Sequence, residues 1–240
     1  MKFLFSIFFI ISNTAHSQLW FDAGIKGGIG TGYLINKTLS KDQRLSVNPG
    51  VNNFMGGKIG LNWGSIHSLT LDGSFANNQY SFLQSGISTS KESFKYSINY
   101  STLTFATLYR NTKGSQYVEI GPEFSVFKKG EIIDELELIL SESAQKVLNK
   151  NLASAVFGFG GYIFGNDNLS LSMGMRIHYT FSNLTSRNYS SSNYPLTNYT
   201  DIISNARTHP IAIQFLFELN YSLGQIAKST CGKRTAFISF

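Results

Sequence analysis

The sequence predicts an all-β fold, an eight-stranded antiparallel up-and-down β-barrel that crosses a membrane. Three observations predict it. Apolar and polar residues alternate over eight separate runs, and a period of two makes a strand with two unlike faces. The gaps between runs alternate in length. They are long over 37–53, 83–92, 129–150 and 183–207, and short over 65–68, 111–115 and 165–168. An even number of strands with short turns at one end and long loops at the other is the outer-membrane barrel pattern. Finally, the chain opens with an export signal.

That signal is Met1-Lys2, an apolar run from Phe3 to Ile11, and a polar stretch ending Ala15-His16-Ser17. Small residues at Ala15 and Ser17 suit a signal peptidase site. The run is too short for a membrane-spanning helix, which needs ~20 apolar residues. Residues 1–17 are therefore read as a signal peptide, 18–224 as the barrel and 225–240 as a periplasmic tail.

The runs follow in order. Phe21, Ala23, Ile25, Ile29 and Tyr33 alternate with Asp22, Gly24, Lys26, Gly28 and Gly30. Met55, Ile59, Leu61 and Trp63 alternate with Lys58, Gly60 and Asn62. Leu69, Leu71 and Phe75 alternate with Thr70, Asp72 and Ser74. A fourth run covers Phe94 to Tyr109, with a break in phase near Ser101-Thr102 that reads as a bulge. Val118, Ile120, Phe124 and Val126 alternate with Glu119, Gly121 and Glu123. Ala155, Phe157, Phe159 and Ile163 alternate with Val156, Gly158, Gly160 and Tyr162. The last two runs are the most regular. From Leu169 to Phe181, the polar set includes Arg176 and His178; from Ile211 to Leu223, it includes Gln214, Glu218 and Asn220.

Alternation alone does not say which face is outside. A secreted lipocalin-like barrel would turn its apolar face inward around a ligand. Two features favour the membrane. Charged residues are 14% of the chain, against about 25% in average soluble domains. The polar face is mostly Gly, Ser, Thr and Asn, which suits the narrow inside of an eight-stranded barrel. Aromatics near run ends (Trp20 or Phe21, Tyr33, Trp63, Phe75, Tyr109, Tyr179, Phe181, Tyr221) suit interfacial girdles. The lumen then holds Asp22, Lys26, Lys58, Asp72, Glu119, Glu123, Arg176, His178 and Glu218. Confined charges must pair, so the sequence favours a salt-bridged plug over a narrow porin-like channel.

Three stretches are familiar. They are Ser68-Leu-Thr-Leu-Asp-Gly-Ser-Phe75, Tyr117-Val-Glu-Ile-Gly-Pro-Glu-Phe-Ser125, and Leu169 to Phe181. They resemble the third, fifth and seventh strands of the small outer-membrane β-barrel family of Bacteroidota, porin-family or PorT-like, of the OmpA and OmpX architectural type. The likeness spans 19–224. Where that family's fourth strand often carries a proline, this chain has Ser101-Thr102. The resemblance implies fold and outer-membrane location more than activity. Some relatives belong to secretion and gliding machinery, so a structural or interaction role through outer loops and tail is the expectation. Outer-membrane lipid, lipopolysaccharide, the barrel assembly machinery and other envelope proteins are the expected partners.

Other chemistries fare worse. Gly27 to Gly32 lacks the following helix that a phosphate loop requires. Of the histidines, His67 falls in a tight turn and His178 in the lumen. Only His209, near Asp201 and Ser204, could resemble a catalytic group. No enzyme activity, cofactor or metal is expected. The net charge of +6 comes from scattered residues without the aromatic interleaving of a nucleic-acid surface. Lys91, Lys95, Lys128, Lys129, Lys146 and Lys150 fall in or beside long loops, solvated or facing lipopolysaccharide headgroups. Residues 131–148 fit either an amphipathic helix or two strand extensions. The single Cys231 is read as an inert thiol.

Overall fold

A computed structural model describes residues 19–36, 45–84, 94–134, 148–166, 168–185, 207–225 and 238–239. Ten strands follow in order: β1 (Leu19–Ile35), β2 (Leu45–Asn48), β3 (Gly50–Trp63), β4 (His67–Gln84), β5 (Phe94–Lys113), β6 (Gln116–Asp134), β7 (Asn151–Gly165), β8 (Leu169–Thr180), β9 (His209–Gln225) and β10 (Ile238–Ser239). Eight of them close an antiparallel barrel in the cyclic order β7-β6-β5-β4-β3-β1-β9-β8, with β8 returning to β7. The short β2 extends the upper end of β4, and β10 pairs in parallel with Phe164 and Gly165 of β7. The expected signal peptide, Cys231 and most of the tail lie outside the described residues.

The strands are strongly sheared. A row of direct register partners leads from Val118 through Phe159, Met175, Phe215, Ile29, Asn53, Asn77 and Ser101 back to β6 at Lys129. One circuit thus climbs from residue 118 to residue 129 on the same strand. Such stagger is the geometric counterpart of tilted strands in a closed barrel.

The apolar face is outside. Ile29, Met55, Phe75 and Phe215 are exposed by 68%, 71%, 67% and 56%. The alternate residues are buried and polar, among them Ser68, Thr70, Asp72, Thr104, Ser172 and Asn220. A lipocalin-like barrel around an apolar cavity is therefore not what this chain forms. Both ends of the apolar surface carry stacked rings. At the turn end, Trp63, His67 and Tyr109 stack with centroids about 6 Å apart, and His67 Nδ1 lies 2.6 Å from the Tyr109 hydroxyl. At the loop end, His209 stacks on Tyr179 and its Nδ1 donates to the Thr180 carbonyl at 3.1 Å.

Several expected boundaries move. Two turns are tighter than the sequence suggested, because β4 begins at His67 and β5 runs on to Lys113. Gly64 and Gly114 adopt φ of 67° and 62° there, a region in which a side chain is strained. The stretch 50–53, expected in a loop, is strand, and β6 continues through Asp134. Up to Asp134, then, the strand extension holds and the amphipathic helix does not. Residues 135–147 lie outside the described part.

The anomaly near Ser101 is a register shift, but its extra residue sits on the neighbouring strand. Ser101 pairs with Lys129 and Thr102 with Phe127, so Lys128 is the bulge. β5 itself stays in phase: Ile98, Tyr100, Thr102 and Thr104 are all buried. What changes at this level is the polarity of the two faces. Below it the outside is apolar and the inside polar. Above it Ile98, Tyr100 and Tyr80 fill the inside, and Asn99, Ser101 and Asn77 lie outside. The barrel continues beyond its apolar belt.

Candidate functional site: an ion cluster across the lumen

Every predicted lumen residue faces inward, and most of them meet. The side chain that joins them, Arg110, was missed. It sits on β5 beside Glu119 of β6, its direct register partner. Its Nη2 donates to Glu119 at 2.7 Å, and its Nη1 and Nη2 donate to Glu218 of β9 at 3.0 and 2.9 Å. β5 and β9 stand four places apart by either route round the barrel. This pair therefore spans a full diameter. Arg176 of β8 does the same on another diameter, donating from Nη1 to Asp72 of β4 at 2.9 Å. Arg176 Nε also donates to Glu119, and Nη2 reaches Glu218 at 3.4 Å.

Two lysines complete the set. Lys26 of β1 pairs with Asp72, and Lys58 of β3 donates to Glu218 at 3.3 Å. Ser172 donates to the same carboxylate at 3.3 Å. Four cations thus interleave with the carboxylates of Asp72, Glu119 and Glu218, each residue at most 5% exposed. Seven of the eight barrel strands supply a charge. The eighth, β7, supplies space: a Cβ on Gly158 would lie 2.8 Å from Glu119 Oε1 and 3.1 Å from Arg176 Cγ. A Gly158→Val variant should lose about 1–3 kcal/mol, as overpacked cores do, read as a lower urea midpoint. A midpoint equal to wild type would show that the cluster is loosely held.

The guanidinium of Arg110 also lies over the Tyr117 ring, 4.0 Å from its centroid, a favourable cation–π placement. Tyr117 fits because Gly160 and Gly174 face it, each leaving room for its hydroxyl. Of the remaining predicted residues, Asp22 accepts a hydrogen bond from Asn62 at 3.1 Å. Glu123 and His178 form a separate pair, carboxylate to Nδ1 at 3.1 Å, on the loop side of the cluster.

Above the cluster the lumen keeps a small cavity of about 60 Å³. That is room for about four or five waters. Hydroxyl pairs line it, Thr104 with Ser125 at 3.0 Å and Ser154 with Thr180 at 2.9 Å, while Lys26, Asp72 and Arg176 form its floor. Such an arrangement can hold water and fixed charge. His178, held through Nδ1 by Glu123, shares this cavity with the Ser125 and Ser154 hydroxyls, in a space of a few waters. His209 is engaged by Tyr179 and the Thr180 carbonyl, and Asp201 and Ser204 lie outside the described residues.

No family model and no curated protein matches the chain in sequence. Its fold has likenesses among solved structures. Neisserial surface protein A is 7% identical, with 83% of this chain and 96% of that chain covered and a TM-score of 0.43. Ail, the attachment invasion locus protein of Yersinia pestis, solved with the heparin analogue sucrose octasulfate, is 13% identical over 84% and 99%, TM-score 0.40. The outer membrane protein OprG from Pseudomonas aeruginosa is 9% identical over 86% and 96%, TM-score 0.39.

Proposed function

We propose that this chain is an integral outer-membrane β-barrel with a closed lumen, acting through its outer rim and loops as an interaction protein rather than as a pore or an enzyme. The observation that carries this is the pair of ion bridges that cross the lumen on two diameters, Arg110–Glu218 and Arg176–Asp72. An open aqueous path needs free cross-section, and an eight-stranded barrel has only enough interior for its own side chains. Here that interior is occupied by paired charge. The membrane part rests on the exposed apolar belt between two ring-stacked rims, since a closed barrel is the one sheet that satisfies every backbone group in lipid.

Loops, rim and tail are then the parts left to meet partners. A place in a secretion or gliding assembly is the interaction role that the family resemblance suggests. The test has two steps. Cell fractions and gels run with and without boiling should place the protein in the outer membrane with a heat-modifiable band. The purified, refolded protein should then give no unitary conductance steps in planar bilayers. Reproducible steps from the wild type would replace the plug with the narrow porin-like channel. Recovery in the soluble fraction would remove the membrane reading altogether.

A further inference from the structure

We propose that the outer face of β3–β6, just above the apolar belt, is a binding face for the saccharide head of an outer-leaflet glycolipid. The inference rests on the outer-membrane reading and goes beyond it by naming a ligand class and a surface. One row of polar side chains crosses all four strands in register and a second crosses β4–β6, with the exposed Val51 of β3 bordering the same surface. Asn53, Asn77, Ser101 and Lys129 are successive partners, and above them Gln79, Asn99 and Glu131. One register step below, on the same outward face, stand Met55, Phe75, Leu103 and Val126. The change from apolar to polar happens within a single step on four neighbouring strands.

The polar rows are organised before any ligand arrives. Asn77 Nδ2 donates to Asn53 Oδ1 at 3.0 Å, and the Ser101 hydroxyl donates to Asn77 Oδ1 at 2.6 Å. Asn99 Nδ2 donates to Glu131 at 3.4 Å, while its own Oδ1 is buried. These side chains border a shallow depression of about 440 Å³. Fixed amides offer a donor and an acceptor side by side, the pattern that vicinal hydroxyls match. Charge does not separate the two lipid classes, since both heads are anionic and the one cation lining the depression, Lys129, stands beside Glu131; a phospholipid head offers the amides few hydroxyls, a saccharide head many. An amphiphile with a hydroxyl-rich head and acyl tails matches both rows and belt at once. A free sugar matches only the rows.

The full-length protein, refolded in detergent, is titrated with labelled rough lipopolysaccharide, labelled phosphatidylglycerol and the delipidated core oligosaccharide. Lipopolysaccharide should bind at least about tenfold more tightly than phosphatidylglycerol, and the oligosaccharide weakly. In Asn77→Ala/Asn99→Ala the preference should fall about tenfold, the size of two modest hydrogen bonds. The milder Asn53→Ala gives a second reading, and heat-modifiable mobility confirms that each variant is folded. Equal binding of the two lipids, or a preference unchanged in the folded double variant, overturns the proposal. Vesicle flotation separates the two readings. A protein that inserts without preference loses only this inference, whereas one that fails to float with vesicles loses the membrane reading as well.

Discussion

Arg110→Ala should lower the unfolding free energy of the barrel by about 3–5 kcal/mol, the range found when one partner of a buried ion pair is removed. The reason is specific to this position. Arg110 holds two carboxylates at once, Glu119 and Glu218, through five hydrogen bonds of its guanidinium. Without it, Glu119 keeps Arg176, while Glu218 keeps Lys58 and a longer contact to Arg176. Lysine cannot replace the fork, because an ammonium is a point charge without bidentate geometry. Arg110→Lys should therefore fall between wild type and alanine. Urea titration, followed by loss of the fast-migrating unboiled band, measures all three. If the alanine variant lay within about 1 kcal/mol of wild type, as for solvent-screened pairs, the lumen would be wet and the plug reading would fail.

The second large effect is expected on the opposite face. Phe217, in the middle of β9 and 53% exposed, lies outward between Gly27 and Met173. In lipid, Phe217→Arg should cost about 2–4 kcal/mol, as charges do near the bilayer midplane. Leu223→Arg, near the turn-end rim of the same strand, should cost only about 0–1 kcal/mol by the same depth dependence. The contrast is the diagnostic quantity. Refolding both variants into vesicles and comparing their unfolding free energies measures it. Equal, small costs at the two positions would mean that this face meets water.

Much of this was legible in the sequence, for physical reasons. A strand shows its two faces at period two, and a barrel in lipid keeps one side uniformly apolar. The runs at Leu169 to Phe181 and Ile211 to Leu223 were therefore unambiguous. The charges on the regular runs lie on the buried face of their strands. Arg110 was lost because the fourth run was ended at Tyr109 and Asn111 to Ser115 was read as a turn. Two more residues of strand, Asn111 and Thr112, would have made its inward phase plain. The apparent phase break near Ser101 had a different origin. Apolar residues move from even to odd positions because the two faces exchange polarity there, while burial and the backbone phase stay as they were. Lys128, the true bulge, left no trace in the pattern because its neighbour Lys129 is polar as well. The diametric pairing was invisible too, because it depends on the cyclic order and stagger of all eight barrel strands.

The cluster also bears on how the barrel comes together. Glu218 stands on the last barrel strand, directly opposite Lys26 of the first across the β1–β9 seam. The same carboxylate receives Arg110 from the far wall, Lys58 from β3 and Arg176 from β8. Joining the first strand to the last therefore also delivers the anion that three separate cations await. An unsealed sheet keeps those cations hydrated and its edges apart; a sealed one has both problems solved in the same motion. Seam closure and charge neutralisation become a single cooperative event, and a chain that stalls before its final strand carries its own electrostatic signal of being unfinished.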